Sequence, residues 1–194
     1  MDVLKRHRQQ SPLWHLVLLS VALTQITTRA LWPQSSGEYE VKAAFLYKFA
    51  SFVEWPEALE REPLGICVVG RDPFGIALER VVEGKTIGGR EFAILRLRTW
   101  RAGAHCQIVF IAASEMGRLH LVLGQLQQDG ILTVGDVPGF CESGGAINLN
   151  VVDSRVKLEI NVDATARSGL QVSSKLLSLA RIVHTTVMAG GMRE

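Results

Sequence analysis

Apolar and polar positions recur along this chain at two periods, and those periods divide it into helices and strands. In "EVKAAFLYKFASFVEWP" (residues 40–56), Val41, Ala44, Phe45, Phe49, Phe52 and Val53 form a helical stripe that Trp55-Pro56 closes. Its many aromatics predict a helix packed on a sheet, in preference to a partner-binding face. "LGICVVG" (64–70) is an uninterrupted apolar run, the pattern of a strand buried on both faces. "RDPFGIALERVVEG" (71–84) predicts a helix with Asp72 as N-cap, Pro73 at the first helical position and Gly84 as its stop. "KTIGGREFAILRLR" (85–98) predicts a hairpin turning at Gly88-Gly89, with only partly clean alternation in its second arm.

The second half repeats the theme. "QIVFIAA" (107–113) and "ILTV" (131–134) are further buried-strand candidates. Between them, "SEMGRLHLVLGQLQQDG" (114–130) places Met116, Leu119, Leu123 and Leu126 on one helix face, with Ser114 as cap and Gly130 as terminator. "AINLNVV" (146–152) and "RVKLEINV" (155–162) flank Asp153-Ser154 and predict a hairpin. In its second arm Val156, Leu158, Ile160 and Val162 alternate with Lys157, Glu159 and Asn161, so one face is expected to be wet. "SSKLLSLARIV" (173–183) has the spacing of a last amphipathic helix, and "HTTVMAGGMRE" (184–194) is expected to fray. The order of elements argues a single three-layer α/β domain, a mixed β-sheet with helices packed on its faces and right-handed crossovers.

The first thirty residues follow a different logic. Lys5, Arg6 and Arg8 precede the apolar stretch "LWHLVLLSVAL" (13–23), and "TTRA" ends on a small residue at Ala30. This is the layout of a secretory signal peptide; the apolar run is shorter than the roughly 20 residues of a comfortable membrane span. An uncleaved anchor is the weaker alternative. The expected organisation is a signal peptide over 1–30, a disordered lead-in over 31–38, the α/β domain over 39–187 and a frayed tail over 188–194.

Composition changes meaning once that segment is set aside. The whole chain carries a net charge of +2, but without Asp2, Lys5, Arg6, Arg8 and Arg29 there remain 17 basic and 18 acidic residues. The basicity belongs to the export signal, and no Lys/Arg run is left to support a nucleic-acid surface. No other apolar stretch is long enough to span a bilayer. The expected compartment is the periplasm, which is oxidising and gives the cysteines their context.

Candidate chemistry is sparse. The "GRDPFG" loop joins a strand to a helix, where phosphate loops occur, yet it lacks both glycine-rich phosphate signatures. Asp72 would repel a phosphate there, although Arg71 leaves room for an anionic ligand. His105-Cys106 is the one adjacent His/Cys pair, and no metal-ligand spacing accompanies it. No cofactor is called for. Cys141, in "VPGFCESGG" (137–145), would need a base and a thiolate-stabilising neighbour to act as a nucleophile, and the chain offers no recognisable set. An enzyme is therefore not expected. Cys67 lies within one predicted strand and Cys106 opens another, so a bridge between them is favoured over three reduced thiols. Such a bridge leaves Cys141 as the odd thiol.

Several blocks, in order and with similar spacing, resemble the YfiR-like family: "VKAAFLYKFASFVEWP", "ICVVGRDPFGIALERVVEGKTIGGR", "CQIVFIAASE", "ILTVGDVPGFCESGGAINL" and "VKLEINVDATARSGLQVSSKLLSLARIV". The resemblance implies a periplasmic, non-catalytic α/β protein that binds the periplasmic region of an inner-membrane diguanylate cyclase, or another membrane sensor, and represses it. It also implies a homodimer, control of biofilm formation through cyclic di-GMP, and a bridge between Cys67 and Cys106. Cys141 matches one half of a second bridge whose other half is absent, since "ESGGAINLN" holds no cysteine. Trp55, Phe74 and Phe140 are candidate partner contacts, and Arg71 a candidate ligand contact. The alternative function is a periplasmic small-ligand-binding module that feeds a membrane sensor.

Overall fold

The apolar runs become the middle of an eight-stranded sheet. Strands β2 (Leu64–Val69), β5 (Ile108–Ile111) and β6 (Leu132–Gly135) lie side by side and parallel, and every residue in them is buried. Such runs carry no polar face because helices or loops cover both sides of a parallel sheet. This computed structural model describes residues 36–56, 63–126, 130–153 and 155–185. The expected export signal and the tail over 188–194 lie outside those residues.

Around the central strands the chain adds helix α1 (Ser36–Phe52), strand β1 (Val53–Glu54), helix α2 (Ala77–Val82), and strands β3 (Thr86–Ile87) and β4 (Arg90–Leu97). A 3-10 turn (Ala113–Arg118) leads into helix α3 (Leu119–Gln125). After β6 come β7 (Ile147–Val152), β8 (Arg155–Asn161), helix α4 (Val162–Arg167), β9 (Gln171–Val172), helix α5 (Ser174–Leu177) and β10 (Ala180–Val183). The large sheet runs in the order β10-β8-β7-β6-β5-β2-β4-β3, and β1 pairs with β9 in a small second sheet. Only β3–β4 and β7–β8 are antiparallel within the large sheet. These are the two hairpins expected at Gly88-Gly89 and Asp153-Ser154. Gly88 and Gly89 take positive φ of 59° and 79°, the backbone that a tight two-residue hairpin turn demands.

Two apolar layers sandwich the sheet. On one face α1 and α2 pack over Ile66, Val68, Phe110 and Ile147; on the other, α3 and Phe140 cover Cys67, Val69, Val109 and Ile111. The result is the mixed-sheet, three-layer α/β domain that the sequence pattern predicts.

Local readings differ in several places, each for a physical reason. Helix α1 begins at Ser36, inside the expected lead-in, and Glu38 in its first turn pairs with Lys42 one turn on. Its buried stripe is Tyr39, Lys42, Ala43, Leu46, Phe49, Ala50 and Val53, so Val41 and Ala44 face outward. Lys42 can lie on the buried stripe because its ammonium pairs with Glu38 and Asp136. Asp72 does not cap a helix: its Oδ1 accepts the Phe74 N–H at 2.8 Å, and α2 starts only at Ala77. Ser114 is likewise not a cap; its Oγ accepts the Arg71 backbone N–H at 2.9 Å. The last amphipathic helix is one turn long, because residues 180–183 pair with β8 as a parallel edge strand. Finally, the wet face of β8 is covered at its far end, where Glu159 and Asn161 are buried.

Candidate regulatory surface at the 136–145 loop

Strands β6 and β7 are parallel neighbours, yet no helix joins them. Parallel neighbours ordinarily need a crossover of a dozen or more residues, usually helical. Here residues 136–146 make the crossing alone, and their side chains supply the packing that a helix would bring.

Each part of the loop is held separately. At its start, Lys42 Nζ donates to Asp136 Oδ2 at 2.7 Å and Tyr39 Oη to the same oxygen at 2.8 Å. Lys42 is 1% exposed and also pairs with Glu38, while its ammonium sits 4.6 Å from the centre of the Tyr39 ring. Burial beside Asp136 drives the Tyr39 hydroxyl well above its ordinary pKa. At the middle, Phe140 is fully buried, and its ring occupies the space that side chains at Gly135 and Gly145 would need. Full burial of such a ring is worth about 1.5–3 kcal/mol.

Cys141 follows, also without exposure, and its thiol lies 3.6 Å from the Glu159 carbonyl oxygen and 3.8 Å from that of Ala146. Burial first, then the charges of Glu159 and Glu142, push its pKa up to about 12. A thiol held so is protonated at neutral pH and hidden from solvent, the opposite of a reactive cysteine.

Two buried asparagines fasten the loop to the sheet. Asn148 Nδ2 donates to the Val137 carbonyl at 3.0 Å and to Glu159 Oε2 at 2.9 Å. Asn161 Nδ2 donates to the Cys141 carbonyl at 2.7 Å, while its Oδ1 accepts the Ala164 N–H and caps α4. Glu159 then meets Arg181 of the edge strand at 2.5 Å, and Arg181 reaches Glu142 at 3.0 Å. Burial would raise the Glu159 pKa, but the hydrogen bonds from Asn148 and Arg181 outweigh it and hold the carboxyl below its usual value. The loop thus couples α1 on one side of the molecule to β10 at the edge of the sheet.

The residues expected from sequence distribute unevenly around this core. Cys67 and Cys106 form a disulfide with Cα atoms 5.8 Å apart, and Cys141 is the free, buried thiol. Cys106 sits beside a tight seam, where the Gln107 N–H donates to the Gly65 carbonyl, the Gly65 N–H donates to Gln107 Oε1, and a side chain at Gly65 would strike the His105 carbonyl. Phe74 and Phe140 are core residues and not surface contacts. Phe74 packs edge-on between Tyr39 and Phe110, with ring centres 5.3 and 4.7 Å away. Trp55 is half-buried and lines a cleft of about 660 Å³ with Leu64, Ile87 and Arg90. Arg71 is exposed, just past the other end of β2. A strand of six residues separates the two by roughly 20 Å, so they do not share one site.

Chain order reverses between β2 and β5, where open α/β sheets usually bind ligands. That crevice is filled. A side chain at Gly70 would collide with Ser114 and Glu115, and Glu115 is buried against Arg118 at 2.7 Å. Lys42, Asn148, Asn161, Glu159 and Arg181 were not singled out by sequence. For the four strand residues the one available signal was their shared sheet face under the loop, which becomes visible only when β8 is paired with β7 and β10; Lys42, on α1, carried no such signal.

A sequence model of the YfiR/HmsC-like family matches residues 39–181, which takes in α1 from Tyr39 onward, the disulfide, the whole 136–145 loop and Arg181.

Proposed function

The chain belongs to the YfiR/HmsC-like family, and from that membership we propose that it is a periplasmic regulator of an inner-membrane signalling protein. The partner is a diguanylate cyclase, whose periplasmic region this protein holds and whose cyclic di-GMP synthesis it represses. The observation that carries the proposal is the match over residues 39–181. The disulfide between Cys67 and Cys106 supports an oxidising compartment. The export-type pattern of the first thirty residues supports the same address. Among the described residues no helix is long and apolar enough to cross a membrane, so any anchoring would come from elsewhere.

In this reading the chemistry is mechanical. The clamped loop and the Glu159–Arg181–Glu142 cluster set the shape of the β10 edge, and signal passes as a change in affinity for the partner. The protein acts as a homodimer. Capture of membrane proteins on the immobilised protein, together with cyclic di-GMP measured after gene deletion, tests the proposal. Recovery of a diguanylate cyclase and a rise in cyclic di-GMP support it; recovery of no signalling protein with an unchanged nucleotide level refutes it.

The Trp55 cleft favours a second reading, a small-ligand module that feeds a sensor. Its volume of about 660 Å³ is in the range of metabolite sites, and its lining sets the Trp55 ring beside the polar side chains of Glu54, Arg90 and Gln171. Saturable stabilisation by one metabolite, lost in Trp55→Ala, is the result that would promote it.

A further inference from the structure

Strand β4 leaves one edge of the large sheet open. It pairs with β2 over residues 92–97, while β3 covers its other side only at Arg90 and Glu91. Among the described residues no strand lies against 92–97 on that outer side. The Leu97 carbonyl accepts the Gly70 N–H on the β2 side. Backbone groups alternate sides along a strand, so Ile94 and Arg96 turn their N–H and C=O outward. Those outward groups have no hydrogen-bond partner among the described residues. Sheet edges are ordinarily blunted by lysine, proline, a bulge or a covering segment. The run from Phe92 to Leu97 holds neither lysine nor proline. Arg96, its one charge, is tied to Asp72 at 2.7 Å and to Glu79 at 2.6 Å.

A groove of about 700 Å³ lies beside this edge, between α2 and the β3–β4 hairpin. Phe92 and Ile94 give it an apolar side, and Ile76, 61% exposed, lines it from the α2 side. Its charges are unevenly used. Lys85 donates to the Val81 carbonyl at 2.5 Å and stands 4.7 Å from the centre of the Tyr47 ring. Arg80 reaches Glu40 at 3.9 Å, and Glu79 is held by Arg96. Glu83 and Glu91 remain, both exposed and neither with an ion-pair partner among the described residues. Strand addition needs two things: open main chain for affinity, and an adjacent pocket for alternate side chains. Both are present at β4.

We propose that the β4 edge binds an extended, basic peptide segment, which adds to the sheet as a further strand. Its main chain bonds the outward groups of Ile94 and Arg96. One apolar side chain lies over Phe92 and Ile94, and a flanking lysine or arginine meets Glu83 or Glu91. The unpaired carboxylates favour a basic segment over an acidic one.

The test is amide NMR of the full chain, purified as the cell leaves it, titrated with the peptide acetyl-Lys-Val-Thr-Val-Thr-Lys-amide. Two control peptides carry glutamate in place of both lysines, or proline in place of the central valine, which removes a ladder donor. The basic peptide is expected to shift the Ile94 and Arg96 amides saturably and to bind more tightly than either control. The surface double variant Glu83→Gln/Glu91→Gln should weaken that binding about fivefold. Absent shifts at these two amides, equal binding of either control, or unchanged binding in the double variant overturns the proposal. So does protection of the same amides that rises with protein concentration in the free protein, since a second copy would then cover the edge.

Discussion

Lys42 Nζ lies 2.7 Å from Asp136 Oδ2, and both side chains are almost wholly removed from water at 1% and 3% exposure. This ion pair joins the first helix to the start of the crossover loop. Taking one partner away leaves the other charge buried, which costs far more than the pair itself contributes. Lys42→Ala and Asp136→Ala should each lower unfolding stability by about 3–5 kcal/mol, read from urea midpoints at constant slope. A loss below about 1 kcal/mol would mean that water reaches the pair after all.

The disulfide gives a second prediction. Its cysteines are 39 residues apart, and chain-entropy reasoning assigns such a bridge about 4 kcal/mol, with 2–4 typical in practice. The double variant Cys67→Ala/Cys106→Ala should lose that amount. Thiol labelling distinguishes the remaining cysteine: no reaction in the folded protein, one thiol after unfolding without reductant, and three after reduction. Reaction of Cys141 in the native state would contradict its burial and its raised pKa.

Glu159 predicts the acid side of the stability profile. Its folded pKa is held below the unfolded carboxyl value of about 4.3, so it stabilises the fold above that pH. The contribution is complete near neutrality and is lost as pH falls through about 4.3 toward the folded pKa. Glu159→Gln should therefore be less stable at neutral pH and show a shallower decline on acidification. A parallel, undiminished decline in the variant would assign acid unfolding to other carboxylates, with Glu79 beside Arg96 the first to examine.

Gly135 and Gly145 both face the Phe140 ring so closely that a methyl group at either must displace it. Gly145→Ala should cost about 1–3 kcal/mol as an overpacked core, and Phe140→Ala about 3–5 kcal/mol as a cavity. Hydrogen exchange at residues 136–146 should rise in both. Unchanged protection there would show that the loop is held by its hydrogen bonds alone.

Much of the fold was legible because burial on both faces leaves a simple trace. Ile66 to Val69 and Ile108 to Ile111 are unbroken apolar runs, and Gly88-Gly89 and Asp153-Ser154 punctuate the two hairpins. The misread elements are those decided by tertiary contact. Residues 180–183 carry helical spacing but gain a strand partner in β8, and Lys42 looks like a surface residue until Asp136 is found beside it. The bridge between Cys67 and Cys106 could be anticipated because Cys67 lies within one strand and Cys106 just ahead of its neighbour. The clamp on Cys141 could not, since its members come from α1, β7, β8 and β10, separated by up to more than a hundred residues.

The central claim is regulation of a membrane diguanylate cyclase. It is tested most directly by cyclic di-GMP measured in cells that lack this gene and in the same cells with it restored. The account predicts a raised level on deletion and a return to the parental level on restoration. An identical level in parent, deletion and restored cells would contradict it.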